Sequence, residues 1–346
     1  MQSSMQSRWH EEARARGPRR RRRSRASVRL RIGVAIGLGV LLTGGACEAE
    51  SPLQVTEEIS VGAQPNALAV APSAGLVFVA NTGDGTVSVI DAATREVTST
   101  IPVGVEPTDV VVGPDGTAAY VTNSKDDTVS VIDTATLQVT GTITVGSRPK
   151  HAAIDPSSNV LYVSNWVDAT VSVIDLATLQ VTDTIVVLEG ASGLAVGAPG
   201  TLYVGSWDTG AVAVVDTATR QVVTTIAVGR EPFALQLDAA EGFVYVTNSR
   251  DDTVSVIDAS TNTVSATLDV GREPYGLAFD SRASAVYVSA WWDGSVWVID
   301  SGSRQVSPAN TVGIGEGVED IAVDPTTGFI YVANSNLGSV SIVEVR

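Results

Sequence analysis

Cysteine occurs once in the 346 residues, at Cys47, so the chain forms no internal disulfide, no thiol redox pair, no cysteine-rich zinc cluster and no Cys-x-x-Cys-His haem attachment. Methionine occurs twice, at Met1 and Met5, and histidine twice, at His10 and His151. Leu, Lys and Glu are scarce beside Val, Thr, Ser, Gly and Asp, a balance that disfavours helices and favours strands and turns. No Gly-rich phosphate loop opens a helix and no nucleophile elbow is present. Positive charge is also missing from most of the chain. The formal net charge is −16, but residues 1–46 hold 11 Arg and only two acids, Glu11 and Glu12. The rest carries 11 basic and 36 acidic residues, a net of −25, which repels phosphate backbones and argues against nucleic acid as a partner.

The N-terminal segment has a form of its own. Five consecutive Arg, residues 19–23, precede the uncharged run IGVAIGLGVLLT at 32–43 and the small residues Gly44, Gly45 and Ala46. A basic region, a short apolar run and a small-residue end form an export signal, and about a dozen apolar residues fall short of the ~20 that span a bilayer. The segment resembles a bacterial lipoprotein signal, with Cys47 in the place of the lipidated cysteine, although Gly44 stands where leucine is usual. No Phe-Leu follows the paired arginines, so a twin-arginine signal is not supported. The expectation is a signal over 1–46, a short linker over 47–51 and a folded domain over 52–346. The protein is then exported, anchored in the cell envelope through Cys47 or free outside the cytoplasm.

What is abundant is repetition. Residues 245–258, YVTNSRDDTVSVID, repeat residues 120–133, YVTNSKDDTVSVID, at 13 of 14 positions. The YVTN-like element starts at Phe78, Tyr120, Tyr162, Tyr203, Tyr245, Tyr287 and Tyr331, with spacings of 42, 42, 41, 42, 42 and 44. A VSVID-like element follows each, and a VGxxP element precedes five, ending at Pro65, Pro107, Pro149, Pro232 and Pro274. One unit, 146–187, reads as four strands over 150–154, 160–164, 170–174 and 180–187 with turn residues between them. Runs such as Val110-Val111-Val112 predict sheets covered on both faces. A four-stranded unit every ~40 residues is the signature of a β-propeller blade. The seventh unit stops after three strands, and LQVTEEISV at 53–61 matches the fourth strand LQVTGTITV at 137–145. The N-terminal strand therefore completes the last blade. The prediction is an all-β, seven-bladed propeller of four-stranded blades, its ring closed by that strand.

These repeats resemble the YVTN-repeat family of exported bacterial and archaeal seven-bladed propellers, surface-layer proteins among them. The resemblance covers nearly all of the chain beyond the signal. It implies a scaffold that binds through the face shared by the inter-blade loops and the hairpins between second and third strands, or through the central channel.

On that face the hairpins hold Asp84, Asp126, Asp168, Asp251 and Asp293, expected as turn residues rather than a cation ring. The aspartates that end each VSVID are expected to cap the following turn. Trp166, Trp207, Trp291 and Trp292 all fall in hairpins, and Trp297 stands in a strand where other units have Ser. Such tryptophans either contact a ligand or wedge neighbouring loops apart. Arg148, Arg230 and Arg272 border the same face and are grouped with them as candidate binding residues. With Glu106, Glu231 and Glu273 they are expected to form salt bridges between neighbouring loops. The starts of the innermost strands read Ala67, Asp109, His151, Gly193, Ala234, Gly276 and Asp320, which makes His151 and Asp109 candidates for acid/base chemistry at the channel. Two functions follow. One is a non-catalytic, monomeric binding protein for an extracytoplasmic protein, peptide or glycan, touching the membrane only through a lipid on Cys47. The alternative is a channel-sited enzyme of the lactonase or lyase propeller type. No cofactor or metal is expected, although propellers of the lactonase and lyase type include some that use a metal, which His151 with the channel carboxylates would hold.

Overall fold

The computed structural model describes residues 52–197 and 200–345. The expected signal, linker and lipidation site at Cys47 lie outside the described residues. Seven antiparallel sheets follow one another, six of them built from consecutive strands. The seventh is ordered from the inside outward as Val318–Val323, Ile330–Asn334, Ser339–Val345 and finally Leu53–Ser60, the N-terminal strand. Its register runs from Leu53 opposite Val345 to Ser60 opposite Ser339, which closes the ring as the repeat pattern requires. Closure matters because without it the facing ladder groups of Leu53–Ser60 and Ser339–Val345 would be left unpaired.

The core lies between blades rather than within them. Tyr120, Val129 and Val131 of the second blade pack with Leu161, Val163 and Ile174 of the third, and seven such clusters run round the ring. Both faces of each sheet are therefore apolar, which is why the strands lack clean alternation. Tyr162, Tyr203, Tyr245, Tyr287 and Tyr331 are fully buried.

The fidelity of the repeat has a local cause. Asn123, the last residue of YVTN, donates from Nδ2 to Thr128 Oγ1 at 3.0 Å and Ser130 Oγ at 2.9 Å. Its Oδ1 accepts from the Gly104 amide at 3.1 Å. One side chain thus ties the VG turn, the second strand and the third strand together. Gly104 must be glycine because a Cβ there would lie 2.5 Å from Asn123 Cγ. The same set recurs at Asn81 and Asn248. Hence Gly, Asn, Thr and Ser are repeated as a group.

The sixth blade departs from this scheme. Ala290 replaces the asparagine, and Trp297 replaces the serine and fills the space, its Nε1 donating to Ser295 Oγ at 3.0 Å. A Cβ at Gly271 would meet that indole and the Ala290 methyl. The two replacements compensate each other. We expect Trp297→Ser alone to cost roughly 2–4 kcal/mol, as large-to-small core changes do. Adding Ala290→Asn should restore the hydrogen-bonded set, so that the double variant falls short of additivity by about 1–3 kcal/mol. Urea unfolding of the single and double variants measures this coupling, and strictly additive losses would disprove the exchange.

The fourth strand of this blade is also broken. Gln305–Val306 and Val312–Gly313 pair with the third strand on either side of a short 3-10 turn, Pro308–Asn310. Pro308 has no amide to donate to the ladder. The spacing of 44 residues to the next repeat is the sequence trace of this detour.

The channel and its mouth as the candidate functional site

The hairpin aspartates prove to be struts. Asp126 Oδ2 accepts from the Val105 amide at 2.7 Å and Asp168 Oδ2 from the Ser147 amide at 2.7 Å, and Asp84, Asp251 and Asp293 do the same. The left-handed backbone sits one residue later, at Gly85, Asp127, Ala169, Asp252 and Gly294. The VSVID aspartates cap their turns as expected: Asp133 Oδ1 accepts from the amides of Ala135 and Thr136. Those hydrogen bonds, Thr136's first, hold the carboxyl below its ordinary range. Among the described residues no three His, Cys, Asp or Glu side chains are grouped to hold a metal ion.

The rim charges pair differently from the sequence expectation. Arg230 binds Asp251, Arg272 binds Asp293 with Nε to Oδ1 at 2.6 Å, and Lys125 binds Glu106. Each pair joins an inter-blade loop to the hairpin of the blade that follows it, not one blade's loop to its neighbour's. The reason is reach: loop and hairpin of one blade are already clasped by the aspartate–amide bond, so the arginine meets that carboxylate first.

The innermost strands position the site. In blade 3 the strand Pro149–Asp155 pairs Pro149 with Asn165 and Ala152 with Val163, so the ladder shifts register across Lys150 and His151. The same irregularity lies between Pro232 and Leu235 and between Val318 and Ile321. A bulge of this kind re-aims side chains. In blades 3, 5, 6 and 7 the two consecutive residues, which would point to opposite sides of a regular strand, both serve the channel, whereas in blades 2 and 4 the first of them, Thr108 and Ser192, is buried between blades and bonds the next blade's carbonyls. The first of the pair in blades 3, 5, 6 and 7 forms a mouth on the hairpin face: Lys150, Phe233, Tyr275 and Glu319. The second lies deeper, where His151, Asp109 and Asp320 line a cavity of about 390 Å³.

His151 Nδ1 stands 3.7 Å from Asp109 Oδ2 of the preceding blade. The same oxygen accepts from the Ala152 amide at 2.7 Å, so Asp109 also clasps blade 2 to blade 3. Asp320 makes the matching clasp between blades 7 and 1 through the Leu68 amide at 3.0 Å. Burial pushes the Asp320 carboxyl up to about 7, with the negative charge of Asp109 adding to it. Glu319 is buried and is likewise pushed to about 7 by burial, although Ser335 Oγ and Trp291 Nε1 donate to its Oε1 at 3.1 and 3.0 Å. Burial and then the charge of Arg148 bring the Lys150 ammonium down to about 8.

The tryptophans bend inward to this mouth. The Lys150 ammonium lies 5.0 Å from the Trp166 ring centre, Trp207 meets Phe233 edge-on at 5.9 Å, and Trp291 holds Glu319. Trp292 instead stacks with Trp291 at 6.1 Å and carries the Arg272 guanidinium at 5.5 Å. Three of the four hairpin tryptophans are therefore walls of the channel mouth rather than a flat platform. Sequence reading found His151, Asp109, Asp320 and the tryptophans. It missed Lys150, Phe233, Tyr275 and Glu319, because only the bulge brings the second residue of the inner strand to the mouth. The visible signal was that this position varies freely, as Asn66, Thr108, Lys150, Ser192, Phe233, Tyr275 and Glu319, inside an otherwise rigid repeat.

Fold and site together define a seven-bladed propeller with titratable groups buried in its axial channel. Residues 46–272 match the model of the lactonase seven-bladed β-propeller family, and the chain belongs to that family. The matched span includes Asp109, His151 and Phe233. Among solved structures, Kuenenia stuttgartiensis hydrazine synthase is similar in fold, with a TM-score of 0.71, 21% identity, and coverage of 88% of this chain and 98% of that one. A search of the curated proteins finds no match.

Proposed function

We propose that this propeller hydrolyses a small lactone within its channel. The observation that carries the reading is the convergence of His151, Asp109 and Asp320, from three blades, on one cavity. Membership of the lactonase family supports it. His151 is the general base, with the Asp109 carboxylate 3.7 Å from its Nδ1. It takes a proton from water as the water oxygen bonds to the lactone carbonyl carbon. The ring C–O bond then breaks, and Asp320, substantially protonated near neutral pH, gives its proton to the departing alkoxide. The product is the open hydroxy acid. Such acid/base groups work best with proton affinities near the working pH.

The test is a pH-stat screen of five- and six-membered lactones. Acid release above the uncatalysed rate is the expected result. A folded protein that turns over none of them would end the proposal. Calorimetric binding of a peptide or glycan without turnover would instead favour a non-catalytic binding propeller, in which Trp292 and Arg272 would be the contact residues. The YVTN-repeat likeness belongs to the same reading as a description of the scaffold. The signal-like leader supports export, with a lipid on Cys47, and mass spectrometry of the mature N-terminus decides between anchored and free forms.

A further inference from the structure

Phe233 touches rings of three other blades. It belongs to blade 5, yet its ring lies 4.9 Å from His151 of blade 3, edge to face, 5.9 Å from Trp207 of blade 4 and 4.7 Å from Tyr275 of blade 6. It also lines the cavity that holds His151. For rings of blades 3 and 5 to touch, blade 4 must offer no side chain between them. It offers Gly193, where a Cβ would run into the Phe233 carbonyl oxygen and lie 3.0 Å from the Leu235 amide nitrogen. Gly193 thus lets the backbone that carries Phe233 close against blade 4. A half-buried aromatic ring in the axis of a polar channel is not needed for blade packing, since the blade cores are complete without it.

We propose that Phe233 is the stopper of this channel: it closes the hairpin-face end over His151, fixes the imidazole edge-on, and sets the upper size of substrate the chamber admits. The size limit rests on the lactone-hydrolysis reading, whereas the closure does not. Phe233 takes no part in bond making. It acts by position, excluding bulky lactone substituents that would extend from the chamber into the mouth.

The experiment separates the two. The full chain, wild type and with Phe233→Ala, Phe233→Leu or Phe233→Tyr, is treated with diethyl pyrocarbonate, and modification of His151 is followed by peptide mass spectrometry. Removing a closing element from a site should raise access, and about a tenfold faster modification is expected for Phe233→Ala, less for Phe233→Leu, with Phe233→Tyr near wild type. An unchanged rate in folded Phe233→Ala overturns the stopper, and should that variant not fold, an unchanged rate in Phe233→Leu does so. In the second arm, kcat/KM for a lactone bearing a long acyl or aryl substituent, divided by that for an unsubstituted lactone, should rise about tenfold in Phe233→Ala and return in Phe233→Tyr. An unchanged ratio overturns the size limit. Wild-type protein inactive on every lactone, with His151 nonetheless deprotected by Phe233→Ala, would defeat the lactonase reading and leave the stopper standing.

Discussion

His151→Ala should lower kcat/KM for lactone hydrolysis by about 10²–10⁴-fold, the span general acid/base catalysis ordinarily contributes. The size of the loss follows from the absence of a substitute. His151 is the sole histidine of residues 47–346. The other titratable groups of the chamber are carboxyls: Asp109, committed to the Ala152 amide, and Asp320, committed to the Leu68 amide. Asp109→Asn should have a smaller effect, about 10–100-fold, because it removes a group that acts through the imidazole. The pH profile gives a separate check. If Asp320 is the acid, the rate falls as pH rises through about 7, where its proton is lost. Asp320→Asn should remove that alkaline limb together with most of the activity. A wild-type rate in His151→Ala would refute the assignment, even with hydrolysis present.

The second large effect is on stability. Asp320 and Glu319 are carboxyls whose folded pKa is raised by burial to about 7 from ordinary values of 3.8 and 4.5. Such a group binds its proton more tightly in the folded state. The contribution of these two groups is therefore full below about pH 4 and is lost as pH climbs from there through about 7. Replacement by the neutral amide removes the loss. Asp320→Asn should match wild type in melting temperature at pH 4 and exceed it at pH 8, by roughly 1–3 kcal/mol once water in the channel is allowed for. For a domain of this size that is several degrees. Glu319→Gln should behave alike, since the amide oxygen can still accept from Trp291 and Ser335. Glu96→Gln, at an exposed position of an outer strand, controls for the general relief of the net charge of −25 carried by residues 47–346. An equal gain in that control, or a gain at pH 4 as large as at pH 8, would show that burial of the channel carboxyls is not the cause.

The number of blades, the order of strands and the closure by the first strand are all readable in the sequence. Each follows from a period: 42 residues per unit, three strands left in the last unit, and a first strand that copies the others' fourth. Turn caps such as Asp133 are equally legible, because their hydrogen bonds reach only two or three residues along the chain. The candidate site was legible in part. His151 and Asp109 stand at equivalent positions of adjoining repeats, so the period alone aligns them.

Tertiary structure decided the rest, because it depends on contacts between distant residues. The tryptophans turned out to face the mouth, since Trp166, Trp207 and Trp291 lean on Lys150, Phe233 and Glu319. The rim arginines pair with hairpin aspartates 21 residues on because a backbone clasp has already brought the two loops together. Most of all, the bulge in the inner strands brings Lys150, Phe233, Tyr275 and Glu319 to the channel mouth, where a period-two reading would have pointed them elsewhere. The repeat carries the ring by its regularity. Phe233, Lys150, Glu319 and Gly193 act where the repeat is irregular, and only the closed ring brings those irregularities to one axis.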